Sequence, residues 1–535
     1  MSSDKQAGSD ELDENLRQEL AGASGQSGPK LEFYGGKWMS ALPIALFIAW
    51  AIFQSGLLGI GDTTGLAIGM LVSLTVGMLF VKGNWKDYAN TIFEGMTRRV
   101  AATAIVAWLW AGMFAQALQD GGFVDGLVWA AQVLPVSETL LPQIFPAVTF
   151  ILAALLATGI GTGYGTTIAF TGLFFPAGLL LGANPVLLFG AILSGAVFGD
   201  NLAPVSDTTI VSAVTQDSDI GGVVQSRFKY AIVAAVMAFT AYIVLGMSMP
   251  GIDIGQNAQQ LLAEQSNPLG LVHLLSMGIV IVTAIRGRHI VEAISWGIIT
   301  ALIANLSLGL ASVTDMLVFT APEGAPFATQ LAFLPFVETF AEGADVSAGV
   351  GGALVTGASG FFPLIVLTLL IVAGAQIMIR GGGFEALQNF LLSAVATNVR
   401  RAETTMVLGT ASVNAMITIN TAAEIAIAPY ISRMGEKFNI NGYRRANILD
   451  ANTSALGYIF PWAGGVLVGV TQMEQLAANE GQFSWFTTDM VVNAIDVVPF
   501  VFHGWFLVGV FLLAALTGYG REYIPDRESK EVARV

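Results

Sequence analysis

The stretch FGDNLAPVSDTT, residues 198–209, holds two carboxylates, Asp200 and Asp207, within a long apolar region. No lysine or arginine occurs in residues 100–226. An ionisable side chain at bilayer depth costs about 3 kcal/mol or more and by default marks a functional site. Pro204 lies between the two acids and opposes a continuous helix. Because broken backbone at that depth is tolerated only where it lines a protein-enclosed cavity, the stretch predicts an ion or proton site with both acids buried.

The composition is that of a polytopic membrane protein. Of the 535 residues, 54% are hydrophobic and 11% are charged, whereas about 25% are charged in an average soluble domain. There is no cysteine, which excludes disulfides, thiolate metal sites and cysteine nucleophiles. The three histidines form no metal-ligand pattern, and no basic footprint for nucleic acid is present. The net charge of −15 suits a halophilic cell, in which acidic surfaces aid solubility.

Apolar stretches of the length that spans a bilayer, about 20 residues, divide the chain. They fall at 39–60, 64–82, 100–119, 230–249, 268–285, 290–311, 361–379 and 497–519. Two further regions, about 142–216 and 403–470, are apolar but interrupted by Gly, Pro, Asn and Thr. The predicted organisation is a disordered acidic tail over 1–36, membrane helices over 37–99, a first unit over 100–250, connecting helices and an outer loop over 251–360, a second unit over 361–520 and a tail over 521–535.

The basic residues predict the orientation. They cluster at Lys82, Lys86, Arg98 and Arg99; at Arg227 and Lys229; at Arg286 and Arg288; at Arg380, Arg400 and Arg401; and at Arg433, Lys437, Arg444 and Arg445. The intervening loops at about 120–141, 250–267, 312–360 and 471–496 contain none. The positive-inside rule therefore predicts a multi-pass protein of the cell membrane with both termini in the cytoplasm.

The two units resemble each other. AQALQDGGFVDGL, residues 115–127, is similar to AGAQIMIRGGGFEAL, residues 373–387, and the charge rule places their GGF triplets on opposite sides. Each is followed by an interrupted region with a central acid, Asp200 or Asp450. Two similar units of opposite orientation are typical of secondary transporters, whose site lies where broken helices of the repeats meet. The predicted fold is an all-α polytopic membrane protein built from two inverted-topology repeats with broken helices.

Two polar constellations carry the candidate site. The first precedes the acidic stretch and comprises Gly161, Thr162, Gly163, Gly165, Thr166 and Thr167. Glycines let backbone carbonyls turn outward, and carbonyl and hydroxyl oxygens suit a small cation such as Na⁺; the alternative is a helix-packing motif of small residues. Asp200 or Asp207 supplies the charge and can hold a proton or Na⁺ but not both, which is the minimal requirement of an antiporter.

The second constellation lies in the second unit. It comprises Asn414, Asn420, Thr421, Asp450, Asn452, Thr453 and Ser454. Amides at bilayer depth need partners, and a broken helix supplies them, so these residues are expected to line a substrate or cation pathway. Glu424 is ambiguous, because it fits either the site or an interfacial turn. Arg444 and Arg445 are interpreted as the cytoplasmic rim.

Three motifs resemble the NhaC-type sodium/proton antiporter family, over roughly residues 40–520. They are GTGYGT from Gly161, FGDNLAPVSDTT, and ANILDANTSALGYIFPW, residues 446–462. The family often has Ser-Trp at Gly163 and Tyr164, and Glu-Asp where Leu449 and Asp450 stand. The resemblance implies a scaffold domain, a mobile transport domain with two helical hairpins that moves as an elevator, and a homodimer. It implies Na⁺ coupling at the positions Asp200, Asn201, Ser206, Asp207 and Thr208.

The leading hypothesis is a Na⁺/H⁺ antiporter. Na⁺ and H⁺ would exchange at Asp200 or Asp207, with Thr209 in the same ion-binding set and Asp450 across the repeat interface. The alternative is a Na⁺-coupled carrier of an organic solute, an amino acid or carboxylate, bound at half-helix N-termini near residues 206–209 and 453–454. The lack of arginine in 100–226 and 446–520 favours a cation or zwitterion. No pore filter or protease dyad is present, so we expect no channel, no enzyme and no cofactor.

Overall fold

The computed structural model describes residues 30–524 except 59, 61, 134, 138, 205, 253–263, 265, 287, 342–346, 395–397, 418 and 479–482. Helices of its first part are α1 (Leu42–Ala51), α2 (Thr63–Met78), α3 (Trp85–Met96), α4 (Arg99–Asp120), α5 (Phe123–Val133), α6 (Leu141–Ile160), α7 (Gly163–Leu180), α8 (Pro185–Leu202), α9 (Asp207–Thr215) and α10 (Ile220–Ser248). Those of its second part are α11 (His273–Ile285), α12 (Ile290–Leu308), α13 (Val313–Met316), α14 (Ala328–Leu331), α15 (Ala353–Ser359), α16 (Phe362–Arg380), α17 (Gly383–Ala394), α18 (Val399–Ile417), α19 (Asn420–Lys437), α20 (Gly442–Leu456), α21 (Gly464–Ala478) and α22 (Phe502–Thr517).

Five short strands depart from the all-α prediction. The strands β1 (Glu32–Phe33) and β2 (Val81–Lys82) pair antiparallel. In a second sheet, β3 (Val318–Pro322) is central, parallel to β4 (Val337–Phe340) and antiparallel to β5 (Gly349–Gly351). These strands lie outside the long apolar helices and are rich in the β-branched and aromatic residues that favour extended backbone.

Six helical stretches in the described part of the chain are long and apolar enough to cross a membrane. They are Lys37–Ser55, Leu141–Gly159, Pro185–Leu202, Ile220–Ser248, Val291–Leu308 and Ala353–Arg380. Shorter apolar helices occupy Thr63–Met78, Phe123–Val133, Pro268–Thr283 and Phe502–Thr517. The membrane-protein prediction is therefore confirmed, although several predicted spans contain helices shorter than the apolar stretch.

The helices break where the sequence predicts interruption. Helix α6 ends at Gly161, whose φ of 78° is the left-handed conformation that glycine adopts without strain, and Thr162 caps α7. Helix α8 ends at Leu202, and α9 begins after Pro204, at Asp207. Proline removes a backbone donor and clashes with the preceding turn, so the two acids lie on separate helices.

The two units share one order of elements. In the first, α4 ends in a glycine turn and is followed by α5, the broken pair α6 and α7, then α8, a break, α9 and α10. In the second, α16 ends in a glycine turn and is followed by α17, α18, α19, α20, a break, α21 and α22. The turn glycines with left-handed φ are Gly122 (71°) and Gly382 (75°). Gly122 is the second glycine of its GGF triplet, whereas Gly382 is the first glycine of its triplet. Alignment of the two turns is therefore shifted by one residue from alignment of the triplets.

Packing between the units is reciprocal. Helix α3, which precedes α4, packs on α16, where a Cβ added to Gly95 would lie 2.5 Å from Ala373 Cα. Helix α15, which precedes α16, packs on α4, where Gly357 abuts the backbone of Gly112. The two contacts are therefore equivalent. In each, the helix that precedes one of the long helices α4 and α16 packs on the other long helix.

The two hairpin turns lie at opposite ends of α10. The turn between α7 and α8 sits beside the end of α10, because Asn184 Nδ2 donates to Pro250 O at 2.8 Å. The turn between α19 and α20 sits beside its start, where the Tyr443 hydroxyl donates to Asp219 and lowers the pKa of that carboxyl. A helix of 29 residues is about 43 Å long at 1.5 Å per residue, so the turns are a full membrane thickness apart.

Both segments that the sequence predicts to be tails include residues that pack against the rest of the protein. Leu31 and Phe33 are buried, and β1 anchors this segment, so the prediction of a disordered tail over 1–36 is wrong for residues 30–36. Residues 1–29 lie outside the described part. At the other end, Arg521 Nη2 donates to Glu403 Oε2 at 2.7 Å and Asn441 Nδ2 to Glu522 Oε2 at 2.8 Å, so residues 521–524 belong to the packed structure.

Candidate functional site

Asp200 lies at the C-terminal end of α8 and is buried, with 3% of its surface exposed. Its Oδ1 accepts from Ser206 Oγ at 2.9 Å. Its Oδ2 accepts from Asn420 Nδ2 and from Tyr458 OH, each at 3.2 Å. Within the described part of the chain, Asp200 forms no ion pair with a lysine or arginine. The carboxyl group is therefore held by neutral donors from both units and has no cationic partner in the described part of the chain.

Asp207 begins α9 and is exposed, so the prediction that both acids are buried is wrong for Asp207. The break after α8 brings the start of α9 to an accessible surface. Asp207 Oδ2 accepts from Thr421 Oγ1 at 2.5 Å, and its Oδ1 from Thr208 N at 3.0 Å. Ser206 Oγ lies 3.0 Å from Thr208 Oγ1 and also bonds to Asp200. The hydroxyls of Thr208 and Ser206 thus lead to the buried acid, and the backbone N–H of Thr208 bonds to the exposed one.

Asp450 is fully buried on α20 and has a cationic partner. Its Oδ2 forms an ion pair with Arg227 Nη1, which is also fully buried. The same oxygen accepts from Thr209 Oγ1 at 3.3 Å and Ser212 Oγ at 3.4 Å, and Oδ1 accepts from Ser454 Oγ at 2.5 Å. The charge of Asp450 is therefore compensated within the protein, unlike that of Asp200.

The guanidinium of Arg227 joins four helices. From α10 it donates to Asn201 O on α8 at 2.5 Å, to Ser212 Oγ on α9 at 3.3 Å and to Asn447 Oδ1 on α20 at 3.1 Å. Together with the ion pair to Asp450, these hydrogen bonds connect α10 to α8 and α9, which flank the first break, and to α20, which precedes the second break. A fork of fixed donors makes arginine suited to such a junction.

Arg227, one of the basic residues that predict the orientation, is buried inside the protein. The predicted span begins at residue 230, but α10 begins at Ile220 after a side-chain cap by Asp219. Arg227 is therefore two turns inside the helix. Arg444 and Arg445 are also buried rather than at an open rim, and Arg444 Nε pairs with Glu403 Oε1 at 2.8 Å. Local charge patterns place a residue along a helix but not on a face of it.

The threonines of the first constellation bond within their own helix. Thr162 Oγ1 accepts from Gly165 N at 3.4 Å, Thr166 Oγ1 donates to Thr162 O at 3.0 Å, and Thr167 Oγ1 donates to Gly163 O at 3.0 Å. The hydroxyl protons of Thr166 and Thr167 are thereby committed to backbone carbonyls at the start of α7. The contacts of the described residues bring these threonines to no carboxylate of the site.

Gly163 packs against Tyr458, whose hydroxyl donates a hydrogen bond to Asp200. A Cβ at Gly163 would overlap the hydroxyl of Tyr458, which is the hydroxyl that donates to Asp200. The rings of Tyr164 and Tyr458 lie 5.6 Å apart between centroids. Tyr458 was missed from the sequence as a site residue, although a phenol within an apolar motif must find a polar partner when buried.

The substitution Gly163→Ala is expected to displace the Tyr458 hydroxyl from Asp200, lowering thermal stability by about 1–3 kcal/mol as overpacking does. Transport should fall as well, because Asp200 loses a donor. Melting in detergent and transport in proteoliposomes measure the two effects. Gly509→Ala is the matched control, since nothing lies within 4 Å of a Cβ there. If the two variants have equal stability and equal transport, Gly163 does not position the Tyr458 hydroxyl for Asp200.

Four buried amides surround the acids with unsatisfied oxygens. Each of their Oδ1 atoms has no hydrogen-bond donor among the described residues, and the four residues are Asn201, Asn414, Asn420 and Asn452. Buried polar atoms normally have partners, so unpartnered oxygens mark places for a ligand or water. Amide, carboxylate and hydroxyl oxygens are hard ligands suited to an alkali cation. No group of three or more His, Asp or Glu side chains arranged to hold a metal ion occurs in the described part.

Thr453 and Ser454 lie inside α20, so the prediction of a half-helix N-terminus there is wrong. The helix continues to Leu456, and the break follows it. Ser206, in contrast, does precede the first turn of α9. Glu424, ambiguous from the sequence, is fully buried and accepts from Thr453 Oγ1 at 2.7 Å.

Fold and site together define a polytopic helical membrane protein with acids gathered where broken helices meet. The model of the Na⁺/H⁺ antiporter family matches residues 34–224 and 211–505. The chain belongs to this family, and its resemblance to NhaC-type antiporters is confirmed.

Individual relatives differ in what they exchange. The chain is 27% identical over 213 residues to the malate-2H⁺/Na⁺-lactate antiporter of Bacillus subtilis, covering 40% of each chain. It is 27% identical over 210 residues to the arginine/ornithine antiporter ArcD of Halobacterium salinarum, covering 38% of this chain and 41% of the relative. It is 22% identical over 241 residues to the Na⁺/H⁺ antiporter NhaC of Alkalihalophilus pseudofirmus, covering 44% and 50%. The chain thus spans half or less of the length of these relatives.

Proposed function

We propose that this protein is a Na⁺/H⁺ antiporter that binds its cation at Asp200. The observation that carries the proposal is the environment of this carboxylate: buried, held by three neutral donors, and without a cationic partner in the described part of the chain. A buried negative charge in that setting requires a counter-ion or a proton. Because Na⁺ and H⁺ compete to neutralise the negative charge of buried acids in one site, their exchange follows from the chemistry of the site.

The surrounding charges favour a cation as substrate. Asp207 and Glu424 also lack an ion-pair partner in the described structure, and Arg227 is committed to Asp450. An organic anion would have to displace Asp450 from Arg227 to reach a positive charge. A carrier of an organic solute is the second candidate, since relatives carry such names, and it fits a cationic or zwitterionic solute better than a carboxylate.

We propose further that the two units are inverted repeats whose broken helices and hairpins move together as an elevator. The shared element order, the reciprocal packing of α3 and α15, and the hairpin turns at opposite ends of α10 support the inverted arrangement. The asymmetry of basic residues supports cytoplasmic termini. In such transporters the site lies near the membrane midplane, at the repeat interface.

Cysteine labelling tests the inverted arrangement on a clean background, because the chain has no native cysteine. Val133 and Glu385 are exposed, and each follows one of the two glycine turns. We expect Val133→Cys to react with a membrane-impermeant maleimide in intact cells, and Glu385→Cys only after permeabilisation. Labelling of both from the same side would contradict the proposal.

The function itself is tested in proteoliposomes with an imposed pH gradient and a lumenal pH dye. We expect added Na⁺ alone to dissipate the gradient. A panel of amino acids and dicarboxylates, added in the presence of Na⁺, tests the second candidate in the same vesicles. No response to Na⁺, together with Na⁺-dependent uptake of one solute, would replace the antiporter proposal by the carrier.

A further inference from the structure

Glu424 lies on α19 and is fully buried. One side-chain donor serves it in the described part of the chain, the Thr453 hydroxyl, which lies 2.7 Å from Oε1. Its Oε2 is buried and has no partner among the described residues. No lysine, arginine or histidine of the described part forms an ion pair with it.

The other acids of the site are better supported as anions. Asp200 accepts from three side chains, and Asp450 has Arg227 and three hydroxyls. Asp207 is exposed and accepts two hydrogen bonds. Glu424 has one donor and no access to solvent. A buried ionised carboxylate with so little support is costly, whereas the neutral acid is not.

Thr453 is placed to serve both protonation states of Glu424. Its single hydroxyl proton has three acceptors in reach: Glu424 Oε1, Leu449 O at 3.1 Å and Asp450 O at 3.1 Å. When Glu424 is ionised, the hydroxyl donates to Oε1. When Glu424 is protonated, its own O–H donates to Thr453 Oγ1, and the Thr453 proton turns to a helix carbonyl. No heavy atom has to move between the two states.

We propose that Glu424 carries the exchanged proton, at a position separate from the cation at Asp200. The proposal rests on the proposed Na⁺/H⁺ exchange. The step is the dissociation of the Glu424 acid to its carboxylate and a proton that passes to water, with one Na⁺ bound at Asp200 in return. The charged groups that act on Glu424 are Asp450 on α20, Arg227 on α10 and Asp207 on α9. A cation arriving among these groups favours the ionised form of Glu424.

The variant Glu424→Gln separates the two half-reactions, because the amide imitates the protonated acid but releases no proton. In proteoliposomes we expect loss of Na⁺-driven proton movement, while exchange of radioactive Na⁺ for unlabelled Na⁺ at equal pH continues and no longer depends on pH. Glu436→Gln, an exposed position on the same helix, is the matched control and should behave as wild type. Asp200→Asn should lose both activities.

Retained proton movement in Glu424→Gln would overturn the proposal. Loss of both activities in a folded Glu424→Gln protein would also overturn it, because Glu424 would then bind the cation or hold the site together. If the wild-type protein moves no protons with Na⁺, the proposed function fails at that point.

Infrared difference spectroscopy gives a readout that needs no transport and does not require Glu424→Gln to fold. In the wild type, we expect a carboxylic-acid C=O band that disappears as pH rises. The band should persist in Asp200→Asn and change frequency in Thr453→Val, which removes the hydroxyl bonded to Oε1. A spectrum without such a band, or a band unaffected by Thr453→Val, would show that Glu424 is not the protonated group.

Discussion

Replacing Asp200 with Asn is expected to abolish Na⁺-driven proton movement, because the cation loses the carboxylate proposed to bind it. The amide keeps the size of the side chain but has no charge for Na⁺ to neutralise. Folding should be preserved, because the amide oxygen can take the place of Oδ2 and accept from Asn420 and Tyr458, while the amide nitrogen donates to the Ser206 hydroxyl. Proteoliposome assays at a series of Na⁺ concentrations measure the loss.

Asp87→Asn is the matched control, since Asp87 is a half-buried acid in the first turn of α3, outside the site. It should transport as wild type does. Asp207→Asn is expected to impair transport through weaker capture of Na⁺, because Asp207 is the exposed acid beside the buried Asp200. Wild-type activity of Asp200→Asn in correctly oriented vesicles would refute the assignment of the cation to this carboxylate.

Replacing Arg227 with Gln is expected to destabilise the protein by about 3–5 kcal/mol and to abolish transport, because it leaves Asp450 charged and unpaired in the interior. Asp450→Asn leaves the guanidinium uncompensated and should cost a comparable amount. The double variant removes both charges and should melt at a higher temperature than either single variant. Thermal melting of the purified protein in detergent measures all three.

Arg227→Lys distinguishes charge from geometry. It keeps the positive charge, but one ammonium cannot reach Asn201, Ser212 and Asn447 together as the guanidinium does. We expect partial stability and slow transport. Additive losses in the double variant, with no recovery relative to the single ones, would show that Arg227 and Asp450 do not act as a pair.

The pair also explains how four carboxyl groups coexist in one region. Arg227 neutralises Asp450 and ties α10 to α8, α9 and α20, so the broken ends meet at one place. Asp200 is left as a buried carboxyl group with three donors but no ion-pair partner in the described structure. A structural ion pair and the proposed cation site thus lie side by side, with different partners for the same kind of side chain.

Much of this arrangement was predictable from local sequence. The break between Asp200 and Asp207 follows from Pro204, since a proline interrupts a helix wherever it falls in the interior. The membrane class follows from apolar length, and the family from motifs that lie close in sequence. The turn glycines were also recognisable from the GGF triplets. The two turns align one residue away from the triplets, because the position of the glycine with positive φ determines the turn.

The partners of the acids were not predictable in the same way. In the sequence, Arg227 is one member of a basic cluster. Its burial and its ion pair with Asp450 result from the packing of α10 against α20. Tyr458 reaches Asp200 because Gly163, almost 300 positions earlier, leaves room for its hydroxyl. Such contacts depend on which faces of distant helices meet.

The sequence by itself thus determined the membrane class, the helix breaks, the family and the acids, because hydrophobic length, proline, glycine and charge act within a few residues. Tertiary structure alone decided that Asp450 is compensated by Arg227, that Asp207 is exposed and that Glu424 is enclosed. These are properties of contacts between elements, and the electrostatic state of a carboxyl group in a membrane depends on the donors and charges that packing brings to it.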